Sequence, residues 1–136
     1  MGWGSAGAIF DDVAHGLIEA GASDEVLDKV CYRLAKSLTD QDWDTVDESI
    51  DEFRGHPVVQ NALRRANGWT YIGEYDEAML DFDPKADEWI LTEQGKGEVA
   101  RRPGTMEGHN ELIELWFAGG PNDEERRELR ERYLLA

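Results

Sequence analysis

At 136 residues the chain has the length of one domain, enough to bury roughly two-thirds of the surface it exposes when unfolded. Hydrophobic residues make up 40% and charged residues 32%, a balance that excludes wholesale disorder, and 30 acidic against 14 basic residues give a net charge of −16. That charge disfavours direct nucleic-acid binding, where each phosphate contact wants a Lys or Arg, and the single cysteine, Cys31, excludes an internal disulfide.

Met1 to Ser5 reads as a glycine-rich lead-in with Trp3 as an aromatic anchor. From Ala6 to Ala20, the residues Ile9, Phe10, Val13, Ala14, Leu17 and Ile18 form one apolar helical stripe, with Ser5 placed to cap it and Gly21 to end it. His15 lies beside the stripe as a boundary residue. Ser23 opens a second helix with Asp24 and Glu25 in its first turn. Its stripe is Val26, Leu27, Val30, Cys31, Leu34, Ala35 and Leu38, which makes Cys31 a core residue rather than a reactive thiol. The short Gly21–Ala22 connection predicts an antiparallel helical hairpin.

The next stretch, Asp40 to Phe53, sets the chemical character of the chain. Half of its fourteen residues are acidic (Asp40, Asp42, Asp44, Asp47, Glu48, Asp51 and Glu52) and none is basic. Thr45-Val46-Asp47-Glu48 reads as a capping box opening a third helix that buries Ile50 and Phe53 and ends at Gly55. The carboxylates are expected in solvent, because burying them unpaired is too costly, with Trp43 and Phe53 turned inward as anchors. The segments M-G-W-G-S-A-G-A-I-F-D-D-V-A, G-A-S-D-E-V and D-Q-D-W-D-T-V-D-E-S together resemble small uncharacterised proteins encoded by bacteriophages and prophages, mainly of actinobacteria. The resemblance covers about residues 1–54. It implies a phage or prophage setting and a host-cell cytoplasmic location, and it brings no catalytic residue with it.

Pro57 at the first helical position starts a fourth helix carrying Val58, Val59, Ala62, Leu63 and Ala66, and Asn67-Gly68 stops it. Beyond it the aromatic and β-branched content rises. Ala78–Asp83 and Glu88–Thr92 read as two strands of a β-hairpin around an Asp-Pro-Lys-Ala-Asp loop. Gly95 to Gly104 reads as a loop. Glu107 to Ala118 is a fifth helix, stopped by Gly119-Gly120-Pro121. Asn122 and Glu125 cap a last, highly charged helix supported by the pairs Asp123/Arg127 and Glu128/Arg132. The expected fold is mainly α with a small β-hairpin, an α+β chain: a helical unit of about four helices over residues 1–68, then the hairpin and two helices over 69–136, in a single domain or with the second half as a semi-independent appendage.

Several chemistries compete for this sequence. Asp40, Asp42 and Asp44 occupy positions 1, 3 and 5 of a calcium-binding loop and Asp51 position 12, but position 6 is Thr45 where a glycine is needed. Glu88-Trp89-Ile90-Leu91-Thr92-Glu93-Gln94-Gly95 resembles the second wing strand of a winged-helix domain, which would make the helix with Arg64 and Arg65 a recognition helix; the surrounding acids have the wrong sign for DNA. His15, His56 and His109 are scattered, no catalytic or phosphate-binding motif is present, and no residue is assigned a catalytic role. No cofactor is expected. With no apolar run near ~18 residues and no leader-like start, a soluble, cytoplasmic protein is expected. The leading expectation is a non-catalytic acidic protein whose Asp40, Asp42, Asp44, Asp47, Asp51 and Glu52 meet and modulate the basic surface of a host protein, with nucleic-acid mimicry by the acidic face as one mode of that contact. The rivals are a calcium-binding module at Asp40–Asp51, a winged-helix-like regulator and a small enzyme of unknown type.

Overall fold

The computed structural model describes residues 3–73, 75–118 and 124–135. They form an α+β chain with the order α1 (Trp3–Glu19), α2 (Asp24–Thr39), α3 (Val46–Glu52), α4 (Pro57–Asn67), β1 (Trp69–Ile72), β2 (Ala78–Asp83), β3 (Glu88–Glu93), β4 (Gly97–Pro103), α5 (Met106–Ala118) and α6 (Glu124–Tyr133). The chain divides between Asn67 and Gly68 into two compact units.

The first unit is helical. Gly21, at φ 75°, ends α1: its N–H donates to Ile18 O, and the Ala22 N–H reaches back to Leu17 O, the double closure that a left-handed residue makes possible. Ser23 caps α2 by accepting from the Val26 N–H at 3.3 Å. α1 begins at Trp3, so Ser5 lies within the helix rather than capping it. The core is built from Phe10, Ala14, Cys31, Ala35, Trp43, Phe53, Val59, Ala62 and Leu63. α4 is sealed on most of its circumference, with Gln60, Asn61 and Arg65 buried beside its apolar residues. Gln60 Nε2 donates to Ile50 O, and Arg65 pairs with Asp28 beneath the Tyr32 ring. The apolar stripes of α1 and α2 are wider than the core they serve. Phe10 and Ala14 are fully covered, while Ile9 and Val13 on α1 and Val26 and Val30 on α2 stay exposed.

The second unit is a four-stranded antiparallel meander, β1-β2-β3-β4, with α5 packed on it and α6 packed on α5. The expected hairpin is its centre: β2 and β3 pair from Ala78↔Glu93 to Asp83↔Glu88. Two further strands flank it. Residues 97–103, expected as loop, form β4 against β3, with a bulge that leaves Val99 as the extra residue between the pairs Thr92↔Glu98 and Leu91↔Ala100. One face of the sheet buries Ile72, Ala78, Leu80, Trp89 and Leu91 against Leu112, Ile113 and Phe117. Trp89 Nε1 donates to Thr105 O, and the Thr105 hydroxyl caps α5 by accepting from the Gly108 N–H. Gly108 lets α5 run close to β4: a Cβ there would strike the Pro103 carbonyl oxygen. α6 is held by Arg126, which donates to the carbonyls of Trp116 and Phe117, and by Asn110, whose amide exchanges two hydrogen bonds of 2.9 Å with the Leu135 backbone. The expected stop at Gly119-Gly120-Pro121 and the cap at Asn122 with its Asp123/Arg127 pair lie outside the described residues.

Candidate functional site

The acidic segment is held from both ends by aromatic side chains. Trp43 is 3% exposed and Phe53 fully buried, and both rings pack on Phe10, at centroid distances of 5.6 and 5.9 Å. The turn before α3 is a second helix closure: the Trp43 N–H donates to Leu38 O and the Asp42 N–H to Thr39 O, with Asp42 itself at φ 67°. The capping box expected at Thr45 is not formed. The Thr45 hydroxyl accepts instead from the Trp43 indole N–H at 3.2 Å, and no side chain caps α3. The local signal was right about where the helix starts and wrong about what the hydroxyl bonds.

Along this segment Asp40, Asp42, Asp44, Asp47, Glu48, Asp51 and Glu52 are all exposed, as their desolvation cost requires. Their surroundings differ. At the ends, Asp40 pairs with Lys36 at 3.3 Å, Asp51 with Arg54 at 3.5 Å, and Glu52 with His15 at 3.1 Å. In the middle, no cationic side chain among the described residues pairs with Asp42, Asp44, Asp47 or Glu48. The segment therefore presents four uncompensated carboxylates on a backbone fixed by buried rings. Lys36 and Arg54 stand at helical spacing from their partners, whereas the sequence does not show the pairing of His15 with Glu52, which are 37 positions apart.

The same geometry bears on two rival readings. In a calcium loop, residues 40–51 would wrap around the ion; here positions 7 to 12, from Val46 to Asp51, are coiled into α3, rising only ~1.5 Å per residue. Asp42 is spent as the left-handed residue that ends the turn. Among the described residues no group of three or more His, Cys, Asp or Glu is placed to hold a metal ion. In the winged-helix reading α4 would be the recognition helix; in it Arg65 is only 9% exposed and paired with Asp28, and α4 packs in the core of the first unit. The wing-like strand β3 is an interior strand of the second unit's meander.

Two polar pairs join α1 to α3. Ser49 Oγ donates to Asp11 Oδ1 at 2.7 Å, and His15 bonds Glu52 while its ring packs on Phe53. These put a Ser, a His and two carboxylates near one another. They are not wired for nucleophilic catalysis, since the hydroxyl goes to Asp11, the imidazole to Glu52, and Ser49 is 1% exposed. His109 is buried in the second unit against Trp89. Cys31 is buried, and burial with the nearby Asp28 pushes its thiol up to about 11, the opposite of an activated nucleophile. No helix among the described residues is long and apolar enough to cross a membrane. Comparison of the chain with protein-family models, with curated proteins and with solved structures finds no match.

Proposed function

We propose that the chain is a non-catalytic acidic binding protein of the phage accessory type, which docks the segment from Asp40 to Glu52 on a basic surface of a host protein and modulates that protein in the host cytoplasm. The observation that supports this most is the middle of the segment: four exposed carboxylates that the chain does not neutralise, on a backbone held by Trp43 and Phe53. Exposed like charges repel one another and contribute nothing to the fold, whereas a basic partner would collect them as an encounter surface that raises its association rate. A row of carboxylates on a fixed backbone also suits a surface that normally receives nucleic-acid phosphates.

Asp51 and Glu52 already have partners, so their replacement would disturb Arg54 and His15 as well; Asp42, Asp44 and Asp47 form the cleaner set. Host lysate is passed over immobilised wild type and over the triple variant Asp42→Asn, Asp44→Asn, Asp47→Asn across a salt series, and the retained protein is then studied by surface plasmon resonance. The expected result is a partner whose association slows about tenfold in the variant, with added salt reproducing the loss in the wild type. Equal retention by both proteins at low and high salt would show this face to be ordinary solvated surface.

A further inference from the structure

Two rows of aliphatic side chains on the first unit are left uncovered, one on α1 and one on α2. Successive helical residues stand ~100° apart. Ile9 and Asp11 therefore lie on opposite flanks of the buried Phe10, and Val30 and Tyr32 on opposite flanks of the buried Cys31. The Asp11 flank of α1 is closed by α3, through Ser49 and the His15–Glu52 pair. The Tyr32 flank of α2 is closed by α4, whose Arg65 pairs with Asp28 and lies over the Tyr32 ring. On the other two flanks Ile9, Val13, Val26 and Val30 are 36% to 43% exposed. Each pair is spaced i, i+4, and Leu17 and Leu34 continue the rows one turn further as half-buried residues. Because α1 and α2 pack on each other, the two rows run along the outer side of one seam.

Charged residues stand on both banks of this aliphatic floor. Asp12 and Glu19 lie further round α1, and Lys29 and Arg33 further round α2, all four exposed. In a chain with 30 acidic and 14 basic residues a cation readily finds a carboxylate, and Lys36, Arg54 and Arg65 of the same unit each do. Lys29 and Arg33 have no hydrogen-bond or ion-pair partner among the described residues, and neither have Asp12 and Glu19. An aliphatic floor between a free acidic bank and a free basic bank matches one kind of occupant. It is an amphipathic helix whose apolar stripe is bordered by a basic row on one side and an acidic row on the other. A second copy of the chain is a poorer match. Its charge of −16 repels, and four partly open side chains fall short of the ~800 Å² per partner that a stable dimer buries.

We propose that the outer seam of α1 and α2 is a docking groove for an amphipathic helix of a partner protein. The apolar stripe of that helix covers Ile9, Val13, Val26 and Val30, its basic flank meets Asp12 and Glu19, and its acidic flank meets Lys29 and Arg33. The groove is separate from the acidic segment, whose helix α3 packs on the opposite flank of α1.

The test uses the full chain and a blocked, side-chain-stapled helix of two heptads, with leucine at a and d, lysine at each e and glutamate at each g. A second peptide carries lysine at both e and g. Binding is followed by the methyl NMR signals of the protein at physiological salt. The expected result is saturable shifts centred on Ile9, Val13, Val26 and Val30, with at least fivefold weaker binding of the mixed peptide in Val13→Ser with Val30→Ser. In Lys29→Glu with Arg33→Glu, the affinity of the mixed peptide relative to the all-lysine peptide should fall at least fivefold. That second variant changes only exposed side chains, so it remains informative if the first is poorly folded. An unchanged peptide preference in it would overturn the proposal. So would the same methyl shifts appearing with protein concentration alone, which would make a second copy the occupant. Binding lost only in the Asp42/Asp44/Asp47 triple variant would overturn it too, and would leave the reading of the acidic segment standing.

Discussion

Asp42 meets two demands with opposite preferences. Its backbone sits at φ 67°, a region that glycine enters without cost, while its carboxylate belongs to the exposed acidic row. Asp42→Gly should therefore leave thermal stability unchanged or raise it by about 0.5–1 kcal/mol, while slowing association with a basic partner. Calorimetric unfolding and surface plasmon resonance read the two effects separately. Asp81, half-buried on β2, has a different signature. Burial raises its folded-state carboxyl above the ordinary carboxylate range, so the folded chain binds that proton more tightly than the unfolded chain does. Ionised Asp81 thus costs stability above its raised folded-state pKa, and the cost fades as the pH falls through the carboxylate range. Asp81→Asn should melt higher than wild type at pH 7, and the gap should narrow toward pH 4; a gap that widens on acidification would contradict the assigned environment.

At the scale of elements, the close approach of α5 to β4 depends on Gly108. Gly108→Ala forces a methyl group into the Pro103 carbonyl, and should cost about 1–3 kcal/mol with a matching fall in the denaturation midpoint. The sequence declares some elements better than others for a physical reason. The ends of α1, α2 and α4 are marked by residues acting on their own backbone neighbours: Gly21, Ser23, Pro57 and Gly68. Those signals are local and survive folding unchanged. β4 has no such signature. Its residues Gly-Glu-Val-Ala-Arg-Arg-Pro have little intrinsic strand preference, and they are extended because β3 offers them a ladder. Thr45 failed as a cap for a related reason, since the Trp43 indole took the hydroxyl. In the candidate sites, exposure of the carboxylates was legible because desolvation forbids the alternative. The pairing of His15 with Glu52 and of Ser49 with Asp11 was not, because each depends on chain segments that only the fold brings together.

For the whole molecule, a net charge of −16 on 136 residues opposes compaction. The charge has a further effect on how copies of the chain meet. Ile9, Val13, Val26 and Val30 leave aliphatic surface uncovered on α1 and α2, the kind of surface that draws molecules together. In dilute buffer, long-range repulsion holds them beyond the reach of that attraction. At 1 M salt the repulsion survives over only ~3 Å, about the distance at which side chains touch. Light scattering across a salt series should accordingly show monodisperse particles at low ionic strength and growing association at high ionic strength, reversed by dilution and reduced by Val13→Ser with Val30→Ser. Colloidal behaviour that is indifferent to salt would mean that these four side chains are too dispersed to act as a patch. If the expectation holds, the protein's acidity keeps its own copies apart while leaving that aliphatic surface open to any molecule that does not share its charge.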